Sequence, residues 1–148
     1  MAREILFKAK RIDNGEWVEG LLWKKKYQSN KWFISCFPDK DDNEDVYVVD
    51  ADTICQYTGL TDKNGNKIWE NDVVKKHFYT NFEWFANSEE YIGKVEYEDC
   101  AWNIVFNKNG NKCVYPIFMA VEHRDAEYFE VIGNIFDNTE LLGGSDNG

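Results

Sequence analysis

Three Asn-Gly pairs, Asn14-Gly15, Asn64-Gly65 and Asn109-Gly110, each stand between runs of β-branched and aromatic residues. Asn and Gly adopt positive φ more readily than other residues, and a type I′ turn needs two such angles in succession. Each pair therefore predicts a tight hairpin. Three internal hairpins in a chain of 148 residues restrict the fold to antiparallel, strand-dominated architectures. The most informative segment runs from Gln56 to Val74, where the Asn64-Gly65 hairpin leads straight into another strand.

Along the chain, the first hairpin joins Ile5–Ile12 to Glu16–Trp23. Strand alternation puts Trp17, Leu21 and Trp23 on one face and Val18, Gly20 and Leu22 on the other. Lys31–Phe37 and Val46–Val49 read as the next strands, with an acidic solvated loop over residues 38–45 between them. Thr53–Tyr57 and Asp72–Phe78 follow as strands. Residues 79–90 fit either one helical turn or a long loop. Ile92–Tyr97 and Ala101–Asn107 flank a turn at Glu98-Asp99-Cys100, and Lys112–Tyr115 follows the third Asn-Gly pair. Pro116 suits the first position of a short helix over Ile117–His123. Tyr128–Ile135 closes the pattern, and Leu141–Gly148 reads as a flexible tail. The run Lys63 to Lys67 recurs as Lys108 to Lys112, a match that turn chemistry alone produces, since real repeats show longer self-similarity. Asp72-Val73-Val74 and Ile92-Gly93-Lys94-Val95 look like the opening of a small SH3-like barrel. The expected fold is mainly β, built of antiparallel hairpins around a small SH3-like barrel core with little helix. It forms one domain over residues 1–140.

Composition supports a folded chain, at 43% hydrophobic and 16% aromatic residues. The net charge is -10 and lies almost wholly in the second half. Residues 1–80 carry 13 basic and 14 acidic side chains, whereas residues 81–148 carry 4 and 13. An acidic field of this kind repels phosphates and favours solubility. Cys36, Cys55, Cys100 and Cys113 are scattered singly. The first eight residues lack the apolar run of a signal peptide, and no stretch approaches the length that crosses a bilayer. The expected setting is the cytoplasm, with reduced thiols and no membrane association.

Several blocks together resemble the YopX-like family of bacteriophage and prophage proteins. They are Phe7-Lys8-Ala9, Trp17-Val18-Glu19-Gly20, Gln56 through Gly65, Ile68 through Val74, Gly93-Lys94-Val95, and Glu130 through Asn138. They occur in order over nearly the whole chain. One departure is Asn71, where the family usually has glycine in a Glu-Gly-Asp triplet. Asn tolerates the left-handed conformation, so the turn is expected to survive. The resemblance implies a mainly β phage protein, and it carries over no activity and no catalytic residue.

Asp39, Asp41 and Asn43 match the first ligand positions of an EF-hand loop, but Glu44 replaces its glycine and Asp50 its terminal glutamate. The cysteines, His77 and His123 lack the close pairing that structural zinc requires. A nucleophile would need one of those histidines beside it, held by a carboxylate. No metal, cofactor or catalytic residue is therefore assigned. Asp50, Asp52, Glu70 and Asp72 are spaced by two, so each pair would share a strand face, as a metal-dependent hydrolase would use them.

Three functions remain. The leading expectation is a non-enzymatic accessory module that binds an unknown phage or host protein, or itself. It would act through the acidic second half at Trp84, Glu96, Glu98, Trp102 and Tyr128. The alternative is a small nucleic-acid-binding barrel. Residues 1–31 hold 8 basic and 4 acidic side chains, and Trp23, Lys24, Lys25, Lys26 and Trp32 mix cations with rings as strand tracking and base stacking require. The overall charge opposes it. A metal-dependent hydrolase stands third.

Overall fold

The computed structural model describes residues 4–27, 30–37, 43–78, 89–117 and 129–143. Two compact units result, Met1–Gly59 and Leu60–Gly148. Both are built from antiparallel strands, as the turn signals predict.

The first unit holds β1 (Phe7–Lys10), β2 (Trp17–Lys24), β3 (Trp32–Cys36), β4 (Asp45–Val49), a 3-10 turn (Ala51–Thr53) and most of β5 (Cys55–Thr61). Its sheet runs in the order β4-β3-β2-β1-β5. Strand β2 serves two ladders. Trp17–Gly20 pair with β1, and Leu21–Lys24 pair with β3. Gly20 sits at the change of partner, where a Cβ would overlap the Ser35 carbonyl oxygen. Only glycine allows β3 to pass this close.

The end of β1 reaches back to β4 through an Arg11–Val49 bridge. Ile12 N–H donates to the Val48 carbonyl at 3.1 Å, and Asp50 N–H to the Lys10 carbonyl at 2.8 Å. The sheet thus curls around buried Ala9, Ile34 and Val49, with Val18, Leu22, Trp32, Tyr47 and Ile54 packed against them. The expected alternation in β2 holds. Val18 and Leu22 face this core, and Trp17, Leu21 and Trp23 lie on the opposite face.

The second unit begins within β5, whose hairpin partner is β6 (Lys67–Trp69). It continues through β7 (Asp72–Phe78), β8 (Glu89–Glu98), β9 (Ala101–Lys108), β10 (Asn111–Pro116), β11 (Phe129–Asn134) and a helical turn, α1 (Glu140–Gly143). Strands β7 to β11 form a sheet of order β10-β9-β8-β7-β11, with a bulge between Val131 and Gly133. Its core is Ile68, Val74, Val95, Ile104, Ile117 and Phe129. Lys76, 3% exposed, lies among them with Nζ 3.7 Å from the Tyr115 ring centre and 4.9 Å from that of Phe129. Neither sheet closes on itself among the described residues, so the SH3-like barrel part of the expectation is not confirmed. In the second unit β10 and β11 are opposite edges with three strands between them. In the first, one bridge stands where a barrel needs a full ladder.

The Asn-Gly turns differ from one another. Asn109 and Gly110 both have positive φ (54° and 81°), giving the expected two-residue turn between Lys108 and Asn111. At Asn14-Gly15 and Asn64-Gly65 only the glycine is left-handed. These loops are longer, and side chains set them. Asn14 Oδ1 accepts from Glu16 N–H, and Asp62 Oδ1 accepts from both Asn64 and Asn66 N–H. The two similar Lys-to-Lys runs therefore form unlike turns. Asp99 and Cys100 form a second two-residue turn with φ of 53° and 62°, although neither is glycine. Asn71 is left-handed at φ 67°, as anticipated. Its N–H donates to Val95 O at 2.8 Å, and its carbonyl accepts from Ile135 N–H at 3.1 Å.

Other boundaries shift modestly. Pro116 ends β10, and residues 118–123 of the expected helix lie outside the described residues. So do residues 79–88; Glu89 and Glu90 open β8. Leu141–Gly143 of the expected tail belong to α1.

Asp62, 6% exposed, also accepts from Val131 N–H at 2.9 Å. Burial raises its pKa, but the hydrogen bonds from Val131, Asn66 and Asn64 outweigh this and hold the carboxylate below its ordinary value of 3.8. A depressed pKa contributes stability above the unfolded-state value, and that contribution is lost as pH falls through the folded-state value. Wild type should therefore lose stability below about pH 4. Asp62→Asn should lose about 2 kcal/mol at neutral pH and show a shallower acid slope, read by denaturant titrations across pH. Gly20→Ala should cost about 3 kcal/mol through backbone overlap, measured the same way. Cys100→Gly should gain about 1 kcal/mol by relieving a left-handed non-glycine residue, visible as a raised melting temperature.

Candidate functional site

The first hairpin fixes the geometry of the strongest candidate. Lys10 pairs with Trp17 across β1 and β2, and Lys8 with Glu19. Directly opposed residues share a face, so both lysines stand beside the Trp17 ring. Lys8 Nζ lies 4.6 Å and Lys10 Nζ 5.4 Å from its centre. Across β2 and β3, Trp23 pairs with Phe33 on the same face. Their rings stack with centres 4.4 Å apart and planes 15° apart. Trp23 Nε1–H donates to Ser35 Oγ at 2.9 Å, which fixes the indole over a serine only 3% exposed. Lys25 Nζ lies 5.9 Å from the Phe33 ring. Leu21 and Val46 flank Ser35 on this face and are 53% and 46% exposed. Trp17, Trp23 and Phe33 are half-buried.

The basic-aromatic set expected from sequence divides between two faces. Trp23 and Lys25 belong to the face just described. Lys24 pairs with Trp32, which packs against the core of the first unit, and Lys24 Nζ lies 5.4 Å from that ring. Lys26 lies near the exposed Tyr27 ring at 5.2 Å. Strand alternation forces this split, since consecutive residues point to opposite faces. Lys8, Lys10, Trp17 and Phe33 were missed in sequence. Counting the register back from the Asn14-Gly15 loop, with four residues in that loop, would have placed Lys10 opposite Trp17.

The acidic set behaves differently. Glu96 pairs with Lys94 at 2.9 Å and Glu98 with Lys112 at 3.6 Å. Trp102 packs against the core of the second unit and meets Tyr97 edge-on at 5.0 Å. Trp84 and Tyr128 lie outside the described residues. A cleft of about 520 Å³ on the second unit is lined by Glu90, Lys94, Glu96, Lys112, Leu141 and Leu142 among others. Glu90, Glu96 and both of these lysines are held in ion pairs with neighbouring side chains.

Two of the four carboxylates considered for a hydrolase accept backbone N–H groups. Asp50 accepts from Asp52 N–H at 3.0 Å and caps the 3-10 turn, so these two do not form a strand-face pair. Asp72, 2% exposed, accepts from Trp69 N–H at 2.8 Å and buttresses the start of β7, while Glu70 lies in the preceding turn. Cys36 Sγ–H donates to the Glu19 carbonyl, and burial, with Asp45 nearby, pushes this thiol up. Cys55 is buried, Cys100 exposed and Cys113 between. Among the described residues, no group of three His, Cys, Asp or Glu side chains is placed to hold a metal ion. Asp39, Asp41, His123 and the side chain of His77 lie outside the description. No described helix is long and apolar enough to cross a membrane.

The fold is similar to that of protein EF1440 from Enterococcus faecalis, known from a crystal structure. The TM-score is 0.51 at 21% sequence identity, over 95% of this chain and 99% of that one. At this identity the likeness concerns the fold. Comparison with curated proteins returns no match. A family model described as YopX protein matches residues 6–143. That match spans all the strands of both units, and the chain belongs to the YopX protein family.

Proposed function

We propose that this chain is a non-enzymatic nucleic-acid-binding module. It acts through the face of β1 to β3 that carries Lys8, Lys10, Trp17, Trp23, Lys25 and Phe33. The observation that supports this is the juxtaposition at Trp17, where one half-buried ring has two lysine ammonium groups within 5.4 Å. Cations beside flat rings are what backbone tracking and base stacking require. Within strands β1 to β4, Glu19 is the acid on this face among the described residues. In the acidic second half, Glu96 and Glu98 are held in ion pairs with Lys94 and Lys112. The setting we infer is the cytoplasm of a phage-infected or lysogenic bacterium, on the strength of the family resemblance.

A second reading keeps the same face but gives it a protein partner. The exposure of Leu21 and Val46 favours it, since apolar side chains beside a tryptophan anchor are common at interfaces.

Fluorescence anisotropy with a labelled oligonucleotide of about 20 nucleotides tests the proposal. Lys8→Glu combined with Lys10→Glu should weaken binding about tenfold or more. It should also flatten the dependence on salt by about two phosphate contacts. Unchanged binding would remove this face from the function. If the wild type ignores nucleic acid but retains a stoichiometric protein that Leu21→Asp releases, the second reading holds instead.

A further inference from the structure

We infer that the ligand of this face is single-stranded nucleic acid taken without regard to base sequence, an inference that rests on the reading above. Reading a base edge requires side chains that present donors and acceptors in fixed patterns, such as Arg, Asn, Gln or Glu. The ring pair on this face has almost nothing of the kind to offer. Phe33 carries no polar atom. The indole N–H of Trp23 is its one donor, and it is committed to Ser35 Oγ at 2.9 Å. Ser35 is itself 3% exposed, so its hydroxyl is covered. The remaining neighbours of that pair are aliphatic (Leu21, Val46 and Val48) or lysines, whose ammonium is a point charge that takes a phosphate or a guanine edge without a fixed pattern, and Trp17 adds a single indole N–H that sets no pattern by itself.

Glu19 is the exception. It is exposed and could accept from the cytosine amino group, but Lys8 lies directly opposite it across the ladder. Stacking, by contrast, needs only a base with an open ring face. A duplex hides those faces within its own stack. Trp23 and Phe33 each spend one ring face on the other, so a base would stack on an outer face, held there without being read, which suits an unpaired strand of any sequence.

The test compares dA, dC and dT homopolymers of about 20 nucleotides with a mixed-sequence duplex and an abasic strand of the same length. The three homopolymers should bind within about threefold of one another. The duplex and the abasic strand should each bind about tenfold or more weakly, the latter because stacking is lost while phosphates remain. Trp23→Phe should keep the binding, and Trp23→Leu should drop it to the abasic level. The abasic comparison uses wild-type protein, so it stands even if Trp23→Leu misfolds. Duplex binding as tight as single-strand binding would overturn the inference while leaving the nucleic-acid reading intact. So would a tenfold preference for dC that Glu19→Gln abolishes. Failure of all these probes to bind would sink the underlying reading itself.

Discussion

The carboxylate of Asp62 ties the hairpin at Asn64-Gly65 to the closing strand of the second unit, 69 residues further on. It takes the N–H groups of Asn64 and Asn66 to shape the loop and that of Val131 to hold β11. Lys63 N–H reinforces the junction by donating to the Phe129 carbonyl, and Lys63 Nζ meets Glu130 at 3.3 Å. Without such an acceptor, three main-chain donors would lose their partner at once. The same use of acids recurs at Asp50 and Asp72, each of which accepts a backbone N–H beside a turn.

Strand content and direction were legible in the sequence because they rest on local signals. The Asn-Gly pairs, the β-branched runs and the alternation of Trp17, Leu21 and Trp23 each reported on a few neighbouring residues, and the strands fall close to where those signals lie. Asp72–Phe78 matches to the residue. Closure of the sheets was not legible, since it depends on whether two distant edges meet. Turn type was legible only in part. Asn109-Gly110 behaves as its residues dictate, whereas Asp62 and Asn14 reshape the other two loops through side-chain acceptors that a dipeptide rule ignores. Asp99-Cys100 shows the converse, a primed turn formed by residues that disfavour it because Glu98 and Ala101 are held in register on either side.

The candidate site shows the same division. Its aromatic and basic character could be read from residues 23–32, but its membership could not. Sequence proximity joined Trp23 to Lys24, and alternation separates them. What assembles the face is cross-strand register, which brings Lys10 beside Trp17 and Phe33 beside Trp23. Register follows from loop length, and here the Asn14 side chain, through its hold on Glu16, determines that length.

The main chain at Lys10 is gripped from two directions. Its N–H donates to Thr53 Oγ1 at 2.9 Å and its carbonyl accepts from Asp50 N–H at 2.8 Å. Thr53 is in turn fixed by its hydroxyl's bond to the Asp50 carbonyl at 2.8 Å. The cation beside Trp17 is therefore mounted on a stationary base. A ligand arriving there would need to order only a side chain, because the backbone share of the entropy of arranging that contact is already spent when the protein folds.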